Sequence, residues 1–223
     1  MNPEFKKILK KQHYGIVGEH SAVKLCHWMR QSLLYNRECY KQSFYGIKSH
    51  RCLQMTPTIN QCTHNCLFCW RHQGFPQDKL DKVDEPKYIL ENAIKQQRRL
   101  ITGFKGDERC DQKKWQEANH PNMLACSLTG EPTLYPKLSD FFSECHKNNI
   151  TTFLVTNGTT PKVLEKMETL PKQLYVSIVA PNKELYKKIC APVIKDGWGK
   201  IEKTLELLSS LDTRTVIRHT LVN

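Results

Sequence analysis

The sequence lacks the features that mark membrane, secreted and fibrous chains. No apolar run in its 223 residues approaches the roughly 18 that a membrane helix needs. The first residues, Met1 to Lys7, have neither the apolar stretch nor the small-residue cleavage site of a secretory signal. Repeats and low-complexity segments are also absent, and 39% hydrophobic with 25% charged residues excludes a disordered, collagen-like or coiled-coil chain. We therefore expect a globular cytoplasmic protein with no membrane partner.

Acidic residues are scarce relative to basic ones. The chain has 34 Lys and Arg against 22 Asp and Glu, a net charge of +12. Residues 1–52 hold ten basic and three acidic residues, so more than half of the excess lies there. Such a segment is either a solvated surface or a site for nucleic-acid phosphates. A nucleic-acid surface would extend over Arg98, Arg99, Lys105, Lys113 and Lys114, with Trp70, Tyr45 and Trp115 as stacking surfaces.

The spacing of apolar residues divides the chain near residue 52. Residues 1–52 are predicted to be a helical, basic N-terminal segment, with helices over 3–11 and 21–37. Beyond it, strands are predicted over 53–59, 123–128, 151–155, 173–179 and 215–221, and helices over 86–102, 136–148, 161–168, 182–190 and 199–211. This α/β alternation predicts a parallel sheet, open or curved into a barrel. Because the last predicted strand ends close to Asn223, we expect the barrel of residues 53–223 to be incomplete at its C-terminus.

Unusual polar segments follow four of the predicted strands. They are Asn60-Gln61-Cys62, Thr129-Gly130-Glu131-Pro132, Thr156-Asn157-Gly158 and Ala180-Pro181-Asn182. Parallel sheets bind their ligands at the C-terminal ends of the strands. The sequence therefore predicts a functional site at this edge of the sheet.

Cys62, Cys66 and Cys69 have the spacing CxxxCxxC, with Phe68 before the third cysteine. Without a sign of export, such a group indicates metal or thiol chemistry rather than a disulfide framework. Three thiolates on one loop can hold three irons of a cubane cluster and leave the fourth iron open. The alternative is a zinc site that takes its fourth ligand from one of two histidines, His64 or His72.

The other seven cysteines are less clearly patterned. Cys26, Cys39 and Cys52 lie at equal steps of 13 residues, which suits either a second three-thiolate site or buried thiols. Lys41, close to this group, is either a solvated surface charge or a desolvated amine that attacks a ketone. The remaining four are predicted to be small buried hydrophobic residues: Cys110, Cys126, Cys145 and Cys190.

The cysteine motif, the alternating β/α pattern and Gly130-Glu131-Pro132 together resemble the radical S-adenosylmethionine superfamily. The resemblance is closer still to the tRNA 4-demethylwyosine synthases in their archaeal form, and it spans essentially the whole chain. It is carried by Cys62-Thr63-His64-Asn65-Cys66-Leu67-Phe68-Cys69-Trp70-Arg71, by Ser127-Leu128-Thr129-Gly130-Glu131-Pro132-Thr133-Leu134-Tyr135-Pro136, and by Cys26, Cys39 and Cys52.

This resemblance implies a partial (β/α)6 barrel and a lyase of wybutosine biosynthesis. The implied reaction condenses N1-methylguanosine in tRNA-Phe, next to the anticodon, with two carbons of pyruvate to give 4-demethylwyosine. The implied cofactors are S-adenosylmethionine and two [4Fe–4S] clusters, the first held by Cys62, Cys66 and Cys69. The second would be held by Cys26, Cys39 and Cys52. Lys41 matches the lysine that the family is proposed to use as a Schiff base with pyruvate.

Five residues are candidates for binding S-adenosylmethionine. Gly130 and Glu131 match the family motif for its amino group. Asn157 and Ser177 lie at strand ends and would contact the ribose or the carboxylate, although either residue could instead be a turn-forming polar residue. Arg218 is expected to be a buried cation paired with that carboxylate. Val179 departs from the acidic residue expected at its position.

The expected partners are the tRNA and an external electron donor of the flavodoxin or ferredoxin type, and we expect a monomer. Two other interpretations stay open at this point. Another radical S-adenosylmethionine enzyme, such as a glycyl-radical activase, would share the CxxxCxxC motif but would not need the upstream cysteines together with Lys41. A zinc-stabilised RNA-binding module would account for the basic charge and the Cys and His content.

Overall fold

One seven-stranded sheet organises the molecule. A computed structural model describes residues 1–75, 80 and 82–221 of the chain. The strands are β1 (Tyr14–Val17), β2 (Ser21–Lys24), β3 (Cys52–Thr56), β4 (Met123–Cys126), β5 (Thr151–Thr156), β6 (Gln173–Ile178) and β7 (Arg214–His219). Their order in the sheet is their order in the chain. Strands β1 to β3 pair antiparallel, and β3 to β7 pair parallel.

Nine α-helices are present among the described residues. They are α1 (Pro3–Lys11), α2 (His27–Tyr35), α3 (Tyr40–Tyr45), α4 (Pro86–Ile101), α5 (Gln112–Ala118), α6 (Leu138–Lys147), α7 (Pro161–Glu165), α8 (Lys183–Cys190) and α9 (Gly197–Leu207). Side-chain caps mark several starts: the side chain of Asn2 accepts from two backbone N–H groups of α1, and Asn182 caps α8. Prolines occupy the first turn of α1, α4 and α7, where they cost no helical hydrogen bond. No helix in the described ranges is long and apolar enough to cross a membrane.

The two faces of the sheet have different roles. Side chains alternate along a strand, so each strand contributes to both faces. The outer face packs on α4 and α6 through a continuous core that includes Leu53, Met55, Leu124, Cys126, Leu154, Leu174 and Val176. The inner, concave face carries a second cluster, partly covered by Tyr45 and Ile47, and consists of Cys52, Met123, Ala125, Phe153 and Tyr175. The parallel register aligns these residues across neighbouring strands.

The predicted alternation after residue 52 is confirmed, with strand boundaries shifted by a few residues. The predicted strand over 53–59, for example, is Cys52–Thr56, and the last one is Arg214–His219. The predicted helices over 86–102, 136–148, 161–168, 182–190 and 199–211 correspond to α4, α6, α7, α8 and α9. The division of the chain at residue 52 stays a prediction.

The prediction that residues 1–52 are helical is wrong in part. The predicted helix over 21–37 contains strand β2 at its start and helix α2 only from His27 onward. Strands β1 and β2 form a hairpin, and β2 pairs with β3. Ser21, Ala22 and Val23 are buried by this pairing. Pairing with β3 therefore overrides the helical spacing of the apolar residues, and the N-terminal segment extends the sheet of the barrel.

Phe141 tests the assignment of the outer core. Its side chain is fully buried between α6 and the sheet. We expect Phe141→Ala to lower the free energy of unfolding by about 3–5 kcal/mol, because it removes buried apolar surface and leaves a cavity. Anaerobic urea unfolding monitored by circular dichroism measures the change. Phe44→Ala is the matched control, since Phe44 is 75% exposed and its removal should change stability little; equal losses in the two variants would contradict the core assignment.

Candidate active site

A cavity of about 220 Å³ lies at the C-terminal edge of the parallel strands. It is bounded by the loop after β3 and by the segments that follow β4, β5, β6 and β7. Its lining includes all eight residues predicted for the first cluster and for the cosubstrate: Cys62, Cys66, Cys69, Gly130, Glu131, Asn157, Ser177 and Arg218. The structure therefore brings together residues that lie up to 156 positions apart in the sequence.

Gly130 forms a tight turn directly after β4. Its φ of +71° lies in the left-handed region, and a Cβ atom there would collide with the carbonyl oxygen of Thr58. The next residue, Glu131, donates its backbone N–H to the carbonyl oxygen of Gln61 at 2.7 Å. Glycine is thus required because two backbone segments approach each other, and this contact holds the start of the cysteine loop against the turn.

The Glu131 carboxylate is buried and fixed. One oxygen, Oε1, accepts from the hydroxyls of Thr133 and Thr156, each at 2.7 Å. The other, Oε2, accepts from the backbone N–H of Asn157 at 2.7 Å. Burial raises the pKa of Glu131, and these donors oppose the shift. A carboxylate oxygen can accept two hydrogen bonds, so Oε2 keeps capacity to bind an ammonium group in the cavity.

Asn157 positions the cysteine loop. Its side-chain Nδ2 donates to the hydroxyl of Thr63 at 2.8 Å and lies 3.7 Å from the Sγ of Cys62. Its Oδ1 accepts from the backbone and the hydroxyl of Thr159. The turn-forming interpretation therefore describes what the Asn157 side chain does in the structure. Its contact with S-adenosylmethionine stays a prediction.

The cysteine loop also rests on the C-terminal end of α8. The backbone N–H groups of Asn65 and Leu67 donate to the carbonyl oxygens of Cys190 and Ile189 at 3.0 and 2.9 Å. The Arg71 guanidinium donates to the carbonyl oxygen of His64 at 2.6 Å. These bonds leave Leu67, Phe68 and Trp70 on the surface.

Ser177 and Arg218 lie side by side on β6 and β7, and Arg218 donates to the Ser177 hydroxyl at 3.2 Å. The prediction that Arg218 is a buried cation is wrong, because its side chain is exposed. Strand β7 pairs only with β6 in the described part of the sheet. Val179 joins an apolar wall of the cavity with Tyr186 and Trp198.

Cys190 is a residue that sequence analysis placed only in the core. It is buried as expected, but it also lies beside Cys66, and the ligating atoms of His64, Cys66 and Cys190 fall within 4.8 Å of one another. No local sequence signal links Cys190 to a motif 124 positions away. His64 further contacts the hydroxyl of Tyr186 at 2.7 Å, and His72 packs near the rings of Phe5 and Phe75. Among the described residues, the three motif cysteines do not fall within 4.8 Å of one another, and neither histidine forms a group with all three of them, which a single zinc ion would require.

A second group of residues lies on the inner side of the sheet. Cys26 and Cys39 precede α2 and α3, and Cys52 begins β3. Burial raises the pKa of Cys52, and the nearby Cys26 and Cys39 raise it further. Burial likewise raises the pKa of Cys39, with a contribution from Cys26. These contributions indicate that the three thiols, which are 26 positions apart at most in the sequence, are neighbours in the fold.

Lys41 belongs to this second group. Its Nζ lies 4.3 Å from the ring centroid of Phe153 and 5.0 Å from that of Tyr175. Burial lowers the pKa of Lys41, while the surrounding cysteines oppose the shift. The amine therefore points to the inner face of the sheet, and the interpretation of Lys41 as a solvated surface charge is wrong.

Some of the residues expected to form a nucleic-acid surface make contacts within the protein instead. Lys114 pairs with Glu38 at 2.7 Å, and the indole N–H of Trp115 donates to the carbonyl oxygen of Ile101 at 2.9 Å. Tyr45 packs on the inner face, below the guanidinium of Arg214. Trp115 and Tyr45 therefore have packing roles. Trp70 is 59% exposed beside the cysteine loop and remains a candidate stacking surface.

Comparison with known proteins defines the class. A family model described as the Radical SAM superfamily matches residues 56–223. The chain therefore belongs to this superfamily, which implies a [4Fe–4S] cluster and S-adenosylmethionine as cofactors. Three thiols on one loop, a shared cavity and the fixed Glu131 carboxylate fit that cofactor pair.

Individual relatives narrow the assignment. The S-adenosyl-L-methionine-dependent tRNA 4-demethylwyosine synthase of Pyrococcus horikoshii is 53% identical over 100% of this chain and 66% of its own length. The protein of the same name from Methanocaldococcus jannaschii is 44% identical over 98% of this chain and 71% of its own length. A solved structure described as TYW1 with a lysine-pyruvate adduct bound matches with a TM-score of 0.91 and 44% identity, covering 100% of this chain and 72% of that one. The chain belongs to the tRNA 4-demethylwyosine synthase family, which confirms the predicted family and the partial barrel. It spans 66% of the length of the Pyrococcus horikoshii protein.

Gly130→Ala tests the contact between the turn and the cysteine loop. We expect the variant to lose up to about four irons per chain after anaerobic reconstitution, the content of one cubane, because the added methyl group displaces the backbone next to Cys62. Iron and acid-labile sulfide per chain measure the effect. Gly103→Ala is the control, since a Cβ at Gly103 meets nothing within 4 Å; wild-type iron content in both variants would disprove the requirement.

Proposed function

We propose that this chain carries out the tRNA 4-demethylwyosine synthase reaction, in which N1-methylguanosine of tRNA-Phe is condensed with two carbons of pyruvate. The observation that carries the proposal is the position of Lys41. Its amine lies on the inner face of the barrel, over the rings of Phe153 and Tyr175 and among three cysteines. A related structure, 44% identical, is described as containing a lysine-pyruvate adduct. A glycyl-radical activase has no use for a lysine in this environment.

The first cofactor site is assigned to the C-terminal edge of the sheet. Cys62, Cys66 and Cys69 would bind three irons of a cluster and leave the fourth for S-adenosylmethionine. Each thiolate binds a different iron, so the three need not be as close together as ligands of a single ion. When bound, this cofactor pair supplies a carbon-centred radical that abstracts hydrogen from the substrate. The free acceptor site of Glu131 would hold the ammonium group of S-adenosylmethionine.

A second [4Fe–4S] cluster is proposed at Cys26, Cys39 and Cys52. These three cysteines come from separate elements that meet beside Lys41 on the inner face. Three thiolates would again hold three irons of a cubane and leave the fourth without a protein ligand. The cluster would supply a Lewis-acidic iron, and Lys41 would attack the ketone carbon of the keto acid.

The contribution of the protein is binding, orientation and exclusion of water. The Lys41 amine would form the bond to the ketone carbon, and the apolar rings of Phe153 and Tyr175 keep solvent from the new imine. Ser177 and Arg218 would contact the cosubstrate at the mouth of the cavity. Loss of the pyruvate carboxylate and transfer of the imine to the base would then close the new ring.

The RNA and protein partners follow from the same proposal. The basic N-terminal segment supplies positive charge for the tRNA backbone. Trp70, exposed on the cysteine loop, is available to stack on a base. Electrons would come from a separate flavodoxin- or ferredoxin-like donor, and the chain would act as a monomer in the cytoplasm.

The number of clusters is tested by iron analysis. We expect about eight irons per chain after anaerobic reconstitution, and about four in a Cys26/Cys39/Cys52→Ser triple variant, because each cubane holds four irons. A Cys110/Cys126/Cys145→Ser triple variant controls for the loss of thiols as such. About four irons in both the wild type and the first variant would remove the second cluster.

The role of Lys41 is tested by trapping. Incubation with pyruvate and cyanoborohydride should add one reduced keto-acid unit to the wild type, located at Lys41 by peptide mass mapping. Lys41→Arg should lose this adduct completely, because a guanidinium keeps the charge but is no nucleophile. Lys48→Arg is the control, as Lys48 is exposed and paired with Glu117. An adduct that persists in Lys41→Arg would defeat the proposed role.

A further inference from the structure

Tyr175 presents a buried hydroxyl for which the fold provides no use. The residue is on the inner face of β6 and is 3% exposed. Its hydroxyl makes no hydrogen bond of good geometry with any residue in the described ranges, although the phenols of Tyr40 and Tyr45 lie close to it. Buried polar atoms in folded proteins nearly always have a partner, so an unpaired one indicates a ligand or ordered water at that point.

The surroundings of Tyr175 place this hydroxyl in the lysine site. The ring lies 5.0 Å from the Nζ of Lys41, measured to its centroid. On β5, Val155 pairs with Tyr175. Phe153 lies on the same face of β5, and its ring is the second aromatic ring beneath the Lys41 amine. Tyr175 also packs in one cluster with Cys52, close to the three cysteines around Lys41. A phenol hydroxyl can donate a hydrogen bond, so Tyr175 offers a donor beside the nucleophile.

The rest of β6 supports a ligand rather than a packing defect. Gln173, two residues earlier on the same face, is 2% exposed and has an Nε2 atom with no partner among the described residues. Ser177, two residues later, lines the cavity at the strand end. The inner face of this strand thus carries three polar side chains in a row, from Gln173, which lines a cavity at the N-terminal edge of the strands, to Ser177 at the C-terminal edge.

We propose that the Tyr175 hydroxyl donates a hydrogen bond to the carboxylate of the keto acid that reacts with Lys41. This inference rests on the proposed function. In the reaction, the Lys41 nitrogen bonds to the ketone carbon, the ketone oxygen takes both amine protons and leaves as water, and an imine remains. The ketone oxygen is lost in this step, whereas the carboxylate is retained. A fixed hydrogen-bond donor can therefore orient the substrate from binding to imine formation only if it binds the carboxylate.

The test measures pyruvate dependence of trapping on the anaerobically reconstituted chain. Tyr175→Phe should raise the pyruvate concentration that gives half-maximal trapping at Lys41 by about 10- to 100-fold, the effect of losing one hydrogen bond to a charged group. The maximal extent of trapping and the iron content should stay at wild-type values. With pyruvamide, which has no carboxylate, the difference between the wild type and the variant should fall to about two- to tenfold, as expected for a neutral acceptor.

Tyr135→Phe is the matched control for a buried phenol. Its hydroxyl donates to the carbonyl oxygen of Asp84 at 2.7 Å on the outer side of the sheet. This variant should melt at a lower temperature with unchanged half-maximal pyruvate. Tyr175→Phe should melt no earlier than the wild type, because its hydroxyl has no partner to lose.

Each outcome decides between the two proposals. Three results would overturn the role of Tyr175 without affecting the proposed lysine adduct. They are a half-maximal pyruvate concentration of Tyr175→Phe within twofold of the wild type, a lower melting temperature of this variant, and equal effects of the substitution on pyruvate and pyruvamide. Absence of any adduct in the wild type would instead overturn the proposed function, and the inference with it.

Discussion

The loop that carries the three motif cysteines is held by its contact with the turn after β4, and the candidate site depends on this contact. The backbone of Gly130 lies against Thr58, and the N–H of Glu131 bonds to Gln61, just before Cys62. The same turn fixes the Glu131 carboxylate. The spacing between the cysteines and the carboxylate is therefore set by backbone geometry, which is more rigid than any arrangement of long side chains.

Strand β6 joins the cavity at the C-terminal edge of the sheet to the group of residues around Lys41. Tyr175 and Ser177 are two positions apart on β6, so their side chains share a face and their Cα atoms lie about 7 Å apart. Ser177 lines the cavity, and Tyr175 lies beneath the Lys41 amine. A radical formed in the cavity and a keto acid held by Lys41 would then be neighbours within one barrel. The proposed condensation needs this proximity, because its two partners are activated at different places.

The sequence contained enough information for the parallel sheet and its functional edge, since both depend on local patterns. Gly130, Glu131 and Asn157 follow strands and were found on that basis, although the Asn157 side chain serves the loop. The β1–β2 hairpin was missed because its pairing with β3 spans about 30 residues. Cys190 and Tyr175 were missed as site residues for a similar reason. Each lies in an ordinary apolar pattern, and only the fold brings it beside Cys66 or Lys41.

The arginines of β7 have a consequence for the charge at the inner face of the sheet. Arg214 and Arg218 pair in register with Gln173 and Ser177 of β6, so both belong to the same face as the Lys41 site. Both guanidinium groups are exposed. Their positive potential would draw anionic groups, such as carboxylates and phosphates, toward this side of the sheet.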